Sequence, residues 1–178
     1  MALNVKSTPS LGMGEALKLA SSRLTVFSGR SRRSEFWWWM LVVLVVGYLL
    51  TIFTTNLMVN AVISIAYMFC GLSATARRLQ DSGKSALWVY ISYALGCIVQ
   101  ILTASSTAIN KMMEELSYGT VNEHAIEKIV ENNAGEFAAL SGVGFVTGIF
   151  AIIVIVMCLL DSTPGPNKYG ESPKYVQE

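Results

Sequence analysis

Four long stretches of the chain carry no aspartate, glutamate, lysine, arginine or histidine. They run from about Phe36 to Phe53, Leu57 to Ala76, Ser85 to Ala104 and Gly142 to Leu160. At about 1.5 Å per residue a helix over each covers most of a hydrocarbon core about 30 Å thick. Thr54, Thr55 and Asn56 leave so brief a turn between the first two that they form an antiparallel hairpin. The pattern predicts an all-α integral membrane protein with four transmembrane helices.

Polar positions cluster between these stretches and at the ends. Residues 1–10 read as a flexible lead-in with a cap at Ser10, and no apolar core follows them as a secretory signal requires. Met13, Leu17, Ala20, Leu24 and Phe27 then recur at steps of four and three, giving one apolar face on a short helix. Such a helix lies in the headgroup plane as an interfacial amphipathic element, or packs on the end of its own bundle. Gly29 ends it, three arginines follow, and Trp37, Trp38 and Trp39 open the first span as interface anchors. Ser34 is placed to cap that span, with Glu35 near the positive end of its helix dipole.

Between the second and third spans lies Ala76–Trp88, reading ARRLQDSGKSALW. Asp81, Ser82 and Gly83 supply turn chemistry, so residues 77–84 are expected as a charged hairpin loop, with Ser85 capping the third span. Residues 105–141 form an outer, helical insert. Ile109, Met112, Met113 and Leu116 give one amphipathic helix ending at Gly119. Ala125, Ile126, Ile129 and Val130 give another, capped by Asn122 and ending near Gly135. Gly144 and Gly148 in the fourth span have the spacing that lets another helix backbone approach. The 161–178 tail has three prolines and two glycines in its first thirteen residues. That density excludes regular helix or strand, leaving a disordered end or an extended segment docked on the bundle.

Composition agrees with the pattern. The chain of 178 residues is 53% hydrophobic and 14% charged, with a mean hydropathy of +0.50. A single domain this apolar takes lipid as the solvent for much of its surface. Cys70, Cys97 and Cys158 lie in apolar runs without metal-ligand spacing and are expected to be buried, reduced thiols. His124 has no partner histidine and reads as an exposed helix residue. No metal, cofactor or nucleic-acid partner is expected.

Charge decides orientation. Four spans place both termini on one side, which with the 77–84 loop holds eleven lysines and arginines; the other side holds Lys111 and Lys128 alone. The positive-inside rule then makes the termini cytoplasmic and the insert, with its six glutamates, external.

Three motifs stand at these boundaries. Gly29, Arg30, Arg33, Glu35, Phe36 and Trp37 precede the first span. Arg77, Arg78, Leu79, Asp81, Gly83, Ser85 and Trp88 follow the second; Gly165, Asn167, Tyr169, Gly170 and Pro173 follow the last. Together, over about residues 15–104 and 142–173, they resemble family 805 of the domains of unknown function. The resemblance implies a small bacterial inner-membrane protein and brings no activity with it. Gln80 stands where that family usually has histidine, Ala86 where it has glycine, and the 105–141 insert is longer than the resemblance leads one to expect.

Every motif residue falls on the rim carrying the termini. Arg30, Arg33, Arg77, Arg78 and Lys84 suit a basic pocket for a headgroup or phosphate, since guanidinium groups bind phosphate oxygens bidentately. Asn167 and Tyr169 would close it from the tail. Glu35, Asp81 and Asp161 are the counter-charges, and the other reading of the same residues is a structural ion-pair network locking loops to helix ends. No hydrolase, metalloprotease or intramembrane-aspartate motif is present, so no catalysis is expected. The expectation is a binding or scaffolding protein that engages membrane lipids, with anionic headgroups or a homo-oligomeric or membrane partner as candidates. The alternative is a small transporter or channel component acting as an oligomer. Against it, the spans lack buried charge; Asn60, Ser64, Ser92, Gln100 and Thr147 would line a polar path or join helices by hydrogen bonds.

Overall fold

The computed structural model describes residues 5–117 and 122–177. Its elements in order are β1 (Val5–Ser7), α1 (Met13–Ser21), α2 (Arg33–Thr51), α3 (Leu57–Asp81), α4 (Leu87–Ser105), α5 (Thr107–Ser117), α6 (Glu123–Asn132), α7 (Ala134–Leu159) and β2 (Tyr175–Gln177). Among them α2, α3, α4 and α7 are long and apolar enough to cross a membrane.

These four pack in series, α2 on α3, α3 on α4 and α4 on α7, while α2 and α7 make no comparable approach. Phe36, Ala74, Leu79, Val89, Val154 and Cys158 form the buried cluster where they converge. That core sits at the end of the bundle bearing the termini. Farther along, Leu44, Val62, Phe69 and Ile152 point outward and are more than half exposed, the arrangement expected when lipid covers the surface.

The second span does not stop at Ala76. α3 runs on through Arg77, Arg78, Leu79, Gln80 and Asp81, and every residue from Ser73 to Asp81 is buried. Most of the expected charged loop is therefore about one and a half further turns of helix, and the turn proper is Ser82–Ala86. Ser85 Oγ accepts from the Leu87 amide at 3.2 Å, although Ala86 occupies the cap position. Ser34 lies inside α2, whose cap is Arg32, and its hydroxyl accepts from the Leu11 amide instead.

At the other end of the bundle, α7 begins at Ala134, eight residues before Gly142. Gly135 is thus helical and does not end α6, which stops at Asn132. Asn122 caps α6 as expected, its side chain accepting from the Ala125 amide at 3.2 Å. Gly119 lies outside the described residues. A Cβ at Gly144 or Gly148 would meet nothing within 4 Å, so neither glycine packs a helix within this chain.

The tail is docked, and Tyr175–Gln177 in it is strand. β2 pairs antiparallel with β1, Val5 opposite Gln177 and Ser7 opposite Tyr175, and the Thr8 amide donates to Lys174 O at 2.8 Å. All prolines of the tail precede Tyr175, which leaves that final segment free to pair. The two described ends therefore meet on one side, and from Val5 the lead-in opens as a strand rather than the flexible arm expected; Gly12, not Ser10, caps α1. α1 packs on α2 through buried Ala16 and Ala20, while Met13, Leu19, Leu24 and Phe27 stay exposed. Of the cysteines only Cys158 is buried; Cys70 is exposed and Cys97 half-buried. All three are free thiols. His124 is exposed on α6 beside Glu127, with 3.6 Å between Nδ1 and Oε2.

Candidate functional site

Two helix C-termini end at the rim, and each leaves carbonyls that must find donors once buried. α7 ends at Leu159. Arg78 Nε donates to Cys158 O at 3.0 Å, and its Nη2 donates to Leu160 O. Arg33 Nη2 donates to Leu159 O at 2.5 Å. Two guanidinium groups thus close the negative end of that helix.

α3 ends at Asp81, and its carbonyls are met by other segments. Ser31 N–H donates to Arg77 O at 3.2 Å and Thr163 N–H to Asp81 O at 3.0 Å. Asn167 Nδ2 reaches Gln80 O at 3.0 Å. Arg30 Nη2 adds a bond to Asp81 O at 3.2 Å.

Around these caps the charges pair in the dry interior. Asp81 is fully buried between Arg30 Nε, 2.9 Å from Oδ1, and Arg78 Nη1, 2.5 Å from Oδ2; Ser162 Oγ also donates to Oδ2. Glu35 accepts from Arg23 Nη2 at 2.6 Å and from Ser31 Oγ at 2.8 Å, with Arg77 Nη2 at 3.7 Å. Arg77 then gathers the turn after α1, donating to Arg23 O at 2.7 Å, Val26 O at 2.5 Å and Ser31 Oγ at 3.1 Å.

Arg30 gathers the tail in the same way. Its Nη1 donates to Gly165 O at 2.7 Å and Gly170 O at 3.2 Å, and its Nη2 to Thr163 O at 2.7 Å. Asn167 holds the tail loop from within: its Oδ1 accepts from Tyr169 N–H at 2.8 Å, and it pairs with Gly170 through both backbone bonds at 3.0 Å. Tyr169 is half-buried with Lys168 Nζ 5.0 Å over its ring.

Outside this network the picture changes. Arg33 and Asp161 are each 46% exposed at their side chains and lie 4.0 Å apart. Lys174 Nζ sits 2.6 Å from Asp161 Oδ2. That hydrogen bond holds the Asp161 carboxyl below its usual range and raises the Lys174 ammonium above its own. Lys84 is exposed on the turn after α3.

Of the seven ligand candidates named from the sequence, Arg30, Arg77 and Arg78 are therefore buried donors to protein carbonyls and carboxylates. Asn167 and Tyr169 hold the tail, and only Arg33 and Lys84 face outward. Glu35, Asp81 and Asp161 are each paired with arginine or lysine. Sequence reasoning missed Ser31, Ser162 and Thr163, hydroxyl residues common in any loop. It also missed the hydroxyl pair Thr75–Tyr93, 3.0 Å apart, which joins α3 to α4. Thr147 bonds its own helix at Val143 O, and Asn60 reaches Thr54 O in the turn before α3.

A family model described as a protein of unknown function, DUF805, matches residues 24–171. The chain belongs to this family. The matched range spans the insert and takes in the three rim motifs of this DUF805 member except Pro173. Where the resemblance sets a histidine, Gln80 is buried and its Nε2 donates to Phe27 O at 3.1 Å, a bond a neutral imidazole N–H also makes. No curated protein and no solved structure gives a significant match to the chain.

Proposed function

We propose that this DUF805 member is a non-catalytic, lipid-engaging scaffold of the bacterial inner membrane, with its termini and rim on the cytoplasmic side. The observation that carries the reading is the division of labour among the rim cations. Those inside are spent on caps and on the tail, whereas Lys84 and Arg33, which also donates to Leu159 O, remain exposed, with exposed Trp37 and Trp38 following Arg33 on α2. Indole rings settle at the headgroup level and cations beside them attract anionic lipid. α1 extends the same boundary, its exposed Met13 and Leu19 suited to the headgroup plane.

Native mass spectrometry of the purified full chain with phosphatidylglycerol and phosphatidylcholine tests the reading. Arg33→Ala/Lys84→Ala is expected to lose the preference for the anionic lipid while remaining folded, because Arg78 still caps α7 when Arg33 is removed. Unchanged preference removes the headgroup role. An impermeant amine reagent on intact cells tests orientation: Lys111 and Lys128 are expected to react and Lys84 to stay silent, and the reverse turns the protein over.

A further inference from the structure

The series packing of the four long helices leaves α2 and α7 apart, and the gap between them is lined. Two adjoining cavities of about 260 and 230 Å³ share Met40, Leu44, Ser92, Tyr93 and Ala151. The walls are Met40 and Leu44 on α2 against Ala151 and Val154 on α7, with Tyr93 as the floor. Leu44 is 57% exposed, so the gap opens sideways to whatever surrounds the bundle.

Its length is informative. The lining on α7 runs from Thr147 to Cys158, which at about 1.5 Å per residue is about 16 Å. One leaflet of a core about 30 Å thick is about 15 Å. An extended alkyl chain about one leaflet long matches that length.

The mouth supplies the charge. Arg33 begins the face of α2 that continues through Trp37, Met40 and Leu44, and it bridges to the end of α7 through Leu159 O. Around it stand Asp161 and Lys174. Two cations to one carboxylate leave the entrance positive, and Arg33 still shows nearly half its side chain.

We propose that the cleft between α2 and α7 holds one acyl chain of an anionic phospholipid from the surrounding bilayer, its phosphate at Arg33. The inference rests on the lipid-engaging reading above and gives it a ligand class and a seat. The chain replaces water or a second lipid layer along Met40, Leu44, Ala151 and Val154. The phosphate meets the exposed edge of a guanidinium whose other donors cap α7.

The test uses the full chain in detergent with added phosphatidylglycerol, read by native mass spectrometry. Wild type is expected to retain one lipid per chain. Leu44→Trp and Ala151→Trp fill the cleft from opposite walls, and each is expected to weaken retention about tenfold, the weight of about two buried methylenes. Leu44 already faces outward, which keeps at least that variant folded. On wild type, single-chain lysophosphatidylglycerol is expected to displace the bound lipid and water-soluble glycerophosphate to leave it. Equal displacement by both, or full retention by both tryptophan variants, overturns the proposal. So does a wild-type dimer that carries no lipid, since a second copy then covers the cleft. Loss of retention in Arg33→Ala/Lys84→Ala with full retention in the tryptophan variants removes the cleft and leaves the headgroup reading; full retention in all three variants removes both.

Discussion

Arg78 and Asp81 stand one turn apart on α3 with 2.5 Å between Nη1 and Oδ2, and neither side chain reaches solvent. The pair is not self-sufficient. Asp81 also answers Arg30, and Arg78 also closes α7, so one carboxylate joins the entry to α2, the end of α3 and the tail. A buried ion pair adds little net stability over an apolar pair, but removing one partner strands the other.

Asp81→Asn therefore leaves two buried guanidinium groups facing a neutral amide. The expected loss is about 3–5 kcal/mol, read as the shift of an unfolding transition in detergent. Asp161→Asn, on a half-exposed pair, is expected to lose less than about 1 kcal/mol. Equal losses from the two substitutions contradict the distinction between inner and outer charges.

Arg78→Ala removes two of the donors that hold the end of α7. The last turn should then open, and buried Cys158 reports on it. Maleimide labelling of Cys158 is expected to accelerate in the variant, with exposed Cys70 reacting at its wild-type rate as the internal control. A Cys158 rate unchanged by the substitution means that Arg33 and packing hold the end of α7 without Arg78.

Docking of the tail depends on pH at both extremes and not between them. Asp161 has its pKa lowered, so its contribution is present above the ordinary carboxylate value of about 3.9 and is lost as pH falls through the depressed one. Lys174 has its pKa raised, so its contribution is present below the ordinary lysine value of about 10.4 and is lost as pH rises through the elevated one. Amide exchange of Tyr175 and Val176, corrected for intrinsic rate, is expected to stay flat between and to climb outside. Lys174→Met should abolish the alkaline limb and shrink the acid one, since Asp161 keeps Ser162, Tyr175 and Arg33 as partners.

Gly29, Gly83, Gly165 and Gly170 are the glycines with positive φ among the described residues, and all four are motif positions. At Gly170 φ is 124°, a region closed to side chains, although a Cβ there would meet no neighbour within 4 Å. Gly170→Ala should thus cost about 1–3 kcal/mol through backbone strain. Protease sensitivity of the tail checks this, with Gly14→Ala in α1 as the unstrained comparison.

The four long helices were legible because hydropathy and lipid thickness act on every residue at once. The end of α3 was not. Arg77, Arg78, Gln80 and Asp81 look like a loop because charge in isolation belongs in water, and only their distant partners in the 23–31 segment, α7 and the tail make helix the better state for them. β1 and β2 were hidden for a related reason: three residues pair with three residues from the opposite end of the chain, and no local period announces that. The three motifs marked the rim correctly as a unit, yet residue type alone could not divide Arg33, facing outward, from Arg30, facing in.

Polar links within the bundle should matter far less than those at the rim. Thr75 Oγ1 lies 3.0 Å from Tyr93 OH and also bonds Gly71 O at 2.8 Å, so Thr75 keeps a partner when the tyrosine hydroxyl is removed. Hydrogen bonds between membrane helices average about 0.6 kcal/mol. Tyr93→Phe is accordingly expected to lower stability by about 0.5–1 kcal/mol, several-fold less than Asp81→Asn in the same unfolding assay. Because the ring stays in place, the cleft keeps its floor and lipid retention should not change. A loss as large as that of Asp81→Asn would move the principal lock of this bundle from its rim to its middle.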